Sequence, residues 1–159
     1  MYDQEELNWM FVAAEQGDAK AQYNLGVKYS EGKGVAQAQE EYVKWYRSAA
    51  EQGHVNAQFN LGSMYEKGNG VLQDYKEAMK WYRLAAEQAD AESQNCLGMM
   101  YENGWGVTQD KEEAKLWFGN AAHQGNVIGQ YNFALSIQNE DNSASDQVGL
   151  DDRVSIELG

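Results

Sequence analysis

One six-residue pattern returns along this chain every 36 residues, and it decides most of what the chain can become. Ala21-Gln22-Tyr23-Asn24-Leu25-Gly26 recurs as Ala57-Gln58-Phe59-Asn60-Leu61-Gly62. It recurs again as Ser93-Gln94-Asn95-Cys96-Leu97-Gly98 and as Gly129-Gln130-Tyr131-Asn132-Phe133-Ala134. A second pattern keeps the same phase. Trp45-Tyr46 with Ala49-Ala50 matches Trp81-Tyr82 with Ala85-Ala86 and Trp117-Phe118 with Ala121-Ala122, and Trp9-Met10 with Ala13-Ala14 stands one unit earlier. The chain therefore reads as half a unit, three full units and half a unit. A period of this length is the mark of a solenoid, because each unit is too small to bury its own apolar stripe and must be covered by its neighbours.

Each unit reads as two helices. In the first, Ala57, Leu61, Gly62 and Tyr65 share one helical face; in the second, Ala78, Trp81, Tyr82, Ala85 and Ala86 do. The fold class is all-α, a solenoid of helix pairs, with helices expected near 3–16, 19–31, 38–52, 55–67, 74–88, 91–103, 110–124 and 127–138. Tyr65 and Trp81 lie on the repeating apolar faces and are expected to be mostly buried. Asp74 with Glu77, and Asp110 with Glu113, have capping-box spacing. Ala38 occupies that position in the first full unit, and Tyr42 replaces the small Ala78 and Ala114, so this unit should pack differently. A mid-helix glycine costs about 1 kcal/mol against alanine. Gly26, Gly62 and Gly98 accept that cost, which implies close approach by a facing helix or a bulky aromatic.

The loops Gly32-Lys33-Gly34-Val35, Gly68-Asn69-Gly70-Val71 and Gly104-Trp105-Gly106-Val107 place glycine where helices end, with a valine able to turn into the core. Gln52-Gly53 and Gln124-Gly125 make the turns between units, and Ala89 interrupts that pattern.

These residues resemble the Sel1-like repeat family, relatives of the tetratricopeptide repeats. The motif is Ala-x-x-x-Leu-Gly-x-x-Tyr-x-x-Gly-x-Gly-Val followed by Asp-x-x-x-Ala-x-x-Trp-Tyr-x-x-Ala-Ala, over roughly residues 7–138. The resemblance implies a right-handed α/α superhelix whose first helices line a concave face. It also implies an adaptor role, often in bacterial signalling, envelope or host-contact processes. Some members carry paired cysteines in each unit. This chain has only Cys96, which argues for a reducing compartment.

The formal net charge is −13 and the sequence pI about 4.4. Nucleic-acid binding calls for clustered Lys and Arg, and the 12 basic residues here are dispersed. An acidic membrane surface would repel the chain. A basic protein partner is compatible with the charge. No apolar run approaches the roughly 20 residues that span a bilayer. The N-terminus, Met1-Tyr2-Asp3-Gln4-Glu5-Glu6, is acidic where a secretory signal would be basic. A cytoplasmic location follows, unless a leader has been removed.

No catalytic, cofactor-binding or metal-ligating residues stand out. His54 and His123 occupy different phases of the repeat near inter-unit turns, and no His-x-x-x-His or Cys-x-x-Cys pair exists. Cys96 takes the Asn position of its unit and reads as a small helix residue. The Gly-x-Gly segments follow helices, not strands, so they read as turns instead of phosphate loops.

A partner would find its surface on the first helices. Positions away from Leu25, Leu61 and Leu97 give Tyr23, Asn24 and Val27; Phe59, Asn60 and Ser63; Asn95, Cys96 and Met99; and Tyr131, Asn132 and Leu135. They form rows across a groove, Tyr23–Phe59–Asn95–Tyr131 and Asn24–Asn60–Cys96–Asn132. Tyr23 lies about 200° round from Leu25 and is expected to be largely exposed. Asn side chains can hold an extended peptide backbone, or they can bond to the next unit's loop. Trp105 replaces Lys33 and Asn69 at its loop, as an interface anchor or a local lid. Residues 1–138 form the solenoid. Residues 139–159 are an acidic tail, either disordered or capping the open end through Val154, Ile156 and Leu158. The leading function is a non-enzymatic module binding a peptide or protein. The alternatives are an immunity or inhibitor protein neutralising a basic toxin or nuclease, and a hydrolase whose site the sequence does not reveal.

Overall fold

The computed structural model describes residues 4–32 and 38–139, and the period resolves there into helix after helix. They are α1 (Gln4–Glu15), α2 (Ala19–Glu31), α3 (Gln39–Glu51), α4 (Val55–Lys67), α5 (Tyr75–Glu87), α6 (Ala91–Asn103), α7 (Lys111–His123) and α8 (127–139). Each lies within one residue of its expected span. The Val35 loop and the tail beyond 139 lie outside the described residues. The architecture is a right-handed α/α superhelical solenoid. Packing is most extensive within the pairs α2–α3, α4–α5 and α6–α7, and next between consecutive units.

Local chemistry starts each helix. Asp18, His54, Asp90 and Asn126 cap α2, α4, α6 and α8, accepting from the N–H of Ala21, Ala57, Ser93 and Gly129. Asp74 and Asp110 cap α5 and α7, while α3 begins at Ala38 with no side-chain cap. The expected capping boxes close on one side only. The N–H of Asp74 and of Asp110 donates to Tyr65 O (2.9 Å) and Tyr101 O (3.0 Å), so the glutamates are left for other work. Glu77 pairs with Lys80, as Glu41 pairs with Lys44. Leu116 stands where those lysines do, and there Glu113 accepts from Trp117 Nε1 at 3.0 Å. In the lysine-bearing units the Trp45 and Trp81 indole N–H groups are buried without a partner.

The helical glycines have the predicted reason. A Cβ on Gly26, Gly62 or Gly98 would stand 2.6, 2.8 or 2.4 Å from the ring of Tyr46, Tyr82 or Phe118, each on the second helix of the same unit. Trp81 is 4% exposed, in one core with Tyr46, Ala49, Ala50, Ala57 and Leu61. Tyr65 packs against the same core, and its hydroxyl reaches the edge to accept from Arg47 Nη2. Val71 and Val107 pack against the cores as plugs. Trp45 packs back onto α1 beside Leu7 and Ala14. Trp9, its counterpart in the first half unit, is 73% exposed.

Candidate partner-binding face

Buried glutamines set the spacing of the first helices. Gln22, Gln58 and Gln94 donate from Nε2 to Ala14 O, Ala50 O and Ala86 O on the helix before. Their Oε1 atoms accept from Gln52, Gln88 and Gln124 at the end of the helix after, at 2.7, 2.8 and 2.7 Å. Each glutamine thus ties three consecutive helices together. Sequence reasoning gave these residues no role, although their recurrence beside the alanine of every first helix was the signal.

The aromatic row divides in two. Tyr23 is half-buried, not largely exposed as expected, because the His54 ring of the next unit stacks on it at 4.5 Å while Tyr46 packs at 5.8 Å. Phe59 is half-buried against Tyr82 at 5.8 Å. Asn95, the third member, is buried, and its side chain accepts from Asn132 Nδ2 at 2.9 Å and faces Met99 Sδ. Tyr131, the fourth, is 64% exposed.

The other positions divide likewise. Asn24, Val27 and Ser63 are half-buried, and the side chain of Asn60 meets the Tyr46 hydroxyl. Met99, Tyr131, Asn132 and Leu135 come together on one groove of about 390 Å³ between α6 and α8. Tyr23, Asn24 and Val27 do not join them. Trp105 stacks on Tyr75 with ring centroids 5.7 Å apart and packs on the core of the second full unit, so it closes that core as a lid. A second cleft, of about 750 Å³, opens between α3 and α5 beside Arg47, Lys80 and Leu84. It escaped the sequence reading. Its only clue is Leu84, an apolar residue where Ser48 and Asn120 stand.

The titratable groups here are tuned for packing. Burial, then the Glu66 carboxylate, pushes the Cys96 thiol up to about 12, so it stays protonated and is a poor nucleophile. Burial also raises Tyr82, whose hydroxyl donates to Glu66 Oε2 at 2.6 Å. His54 Nδ1 accepts the Ala57 N–H, which places its proton on Nε2. Burial holds its pKa below the usual 6.5, with the Lys20 charge adding to the effect. Among the described residues no three His, Cys, Asp or Glu side chains converge as a metal site requires. No helix among them is long and apolar enough to cross a membrane.

Helix pairs locked by glutamines, repeated in one phase, define a helical repeat solenoid. The profile of the Sel1 repeat matches residues 19–54, 55–90 and 91–126, and the chain belongs to the Sel1 repeat family. Its fold is similar to that of a Sel1 repeat protein from Oxalobacter formigenes, at 41% identity and TM-score 0.78, over 80% of this chain and 53% of that one. It is also similar to a protective antigen present in uropathogenic Escherichia coli strains, at 47% identity and TM-score 0.75. That match covers 77% of this chain and 26% of the antigen. The chain thus spans about half the length of the first and about a quarter of the second. A Helicobacter pylori cysteine-rich protein shares the fold at 22% identity and TM-score 0.60, over 77% of this chain and 93% of its own. Comparison with curated protein sequences finds no match.

Proposed function

We propose that this chain is a non-enzymatic adaptor, bacterial and cytoplasmic, that binds a peptide or protein partner along the face of α2, α4, α6 and α8. The face is the concave one in this reading, and neither nucleic acid nor membrane is its ligand. Sel1 repeat proteins are generally protein–protein interaction modules, which supports the coarse reading. The observation that carries the finer one is the groove between α6 and α8, where Tyr131 is exposed beside Met99 and Asn132. An exposed aromatic among amide groups joins an apolar anchor to hydrogen-bonding capacity. The lone, half-buried thiol of Cys96 fits a reducing compartment.

The test is to capture partners on the immobilised chain and to measure the affinity of each for wild type and for Tyr131→Ala and Asn60→Ala. Weaker binding with unchanged melting temperature supports this face. Unchanged affinity in both variants moves the site to the α3–α5 cleft or the Trp105 loop. Salt separates a second reading, carried by the −13 charge: affinity that collapses with salt favours an inhibitor of a basic protein.

A further inference from the structure

The departures from the repeat gather at the α6–α8 groove. In the second full unit Tyr82 packs on Gly62, and its hydroxyl donates to Glu66. In the third, Phe118 takes the same place on Gly98 and has no hydroxyl to give. Glu102 stands where Glu66 does, half-buried at the groove, and its carboxylate has no partner among the described residues. Asn95 replaces the rings of Tyr23 and Phe59, and the buried ring of Phe118, 3% exposed, lies at the floor of the groove. Ile128, 60% exposed, stands where the other units have Lys20, Asn56 and Glu92.

A largely apolar trough thus has one partly exposed carboxylate at its side, with no protein group paired to it among the described residues. We propose that the groove takes an extended segment of a partner protein in which a large apolar side chain is flanked by a lysine or arginine. This rests on the interaction-module reading and names the chemistry of its partner. The apolar group fills the space beside Phe118, Met99 and Ile128, with Tyr131 laid over it, and the cation meets Glu102. The chain's charge of −13 draws such a segment in and opposes an acidic one. That disfavours the chain's own tail, which carries Glu140, Asp141, Asp146, Asp151, Asp152 and Glu157 against Arg153.

The probe is a phage-displayed library of random dodecapeptides, panned on the immobilised full chain. Enriched sequences should carry Lys or Arg next to a large apolar residue. Their affinity should fall at least about tenfold in Tyr131→Ala, as for an aromatic anchor. In Glu102→Gln it should fall about threefold, as for a partly exposed ion pair. A peptide with norleucine in place of the cation should not distinguish Glu102→Gln from wild type. Circular dichroism checks that both variants keep their helices. Peptides indifferent to both variants, or acidic peptides, overturn the proposal. So does tighter peptide binding by the triple variant Val154→Ser, Ile156→Ser, Leu158→Ser, which assigns the groove to the tail. Peptides that depend on Tyr23 and Asn60 instead leave the interaction module standing and remove this groove. A library that enriches nothing removes both.

Discussion

Replacing Ala89 by glycine should make this protein more stable. Ala89 has φ of +66° at the turn between α5 and α6, where the equivalent Gly17, Gly53 and Gly125 have +95°, +86° and +82°. An L-residue held there costs about 1–2 kcal/mol, because its Cβ crowds the following carbonyl oxygen. Glycine removes that cost but frees the unfolded chain, which takes back about 0.4–1 kcal/mol. The turn itself is kept, since its bonds from Ala89 N to Ala86 O and from Asp90 N to Ala85 O are backbone only. The exposed methyl contributes little burial. A net gain of about 0.5–1 kcal/mol follows, or a rise in Tm of roughly 1–4 °C for a chain of this size. The reverse change, Gly53→Ala, should lose a similar amount, because nothing lies within 4 Å of the added Cβ and only the backbone is tested. Urea and thermal unfolding of the two variants read both signs. A lower midpoint for Ala89→Gly, or an unchanged one for Gly53→Ala, would refute the argument that this turn needs a left-handed residue.

Three further outcomes follow from the packing. Because the pKa of His54 is depressed by burial, the folded state binds fewer protons there than the unfolded state. The stability tied to that ring is therefore present above pH 6.5 and is lost as pH falls through the lower folded value; His54→Asn should flatten this slope in pH-dependent urea melts. Cys96, pushed up to about 12, should react with iodoacetamide at neutral pH at least about a hundredfold more slowly than in the urea-unfolded chain. Trp81→Ala should cost about 3–5 kcal/mol in urea unfolding, as a large core aromatic removed from between two units. A loss under about 1 kcal/mol would mean that Trp81 does not join the units.

The helix boundaries were legible because one phase governs every unit. The expected span 91–103 is the observed Ala91–Asn103, and where 74–88 narrows to Tyr75–Glu87 the difference is the two capping residues. The aromatic partners of Gly26, Gly62 and Gly98 followed from the cost of glycine in a helix. The exposure of Tyr23 did not follow. An angle around one helix says nothing of a ring arriving from the next unit, and His54 supplies that ring. The sequence does not decide between anchor and lid for Trp105, because its neighbour Tyr75 lies in another unit. The site was least legible where two positions act together. Glu102 looks like Glu66 in the sequence, and only the Tyr82–Glu66 hydrogen bond reveals what Phe118 takes away.

The most direct measurement is backbone amide mapping by NMR of the isotope-labelled full chain, titrated with a partner or an enriched peptide. The account predicts shifts concentrated on the first helices, strongest around Met99, Glu102, Tyr131 and Asn132, with α3 and α5 little changed. Shifts confined to the α3–α5 cleft around Arg47 and Lys80, or to the Trp105 loop, would contradict it.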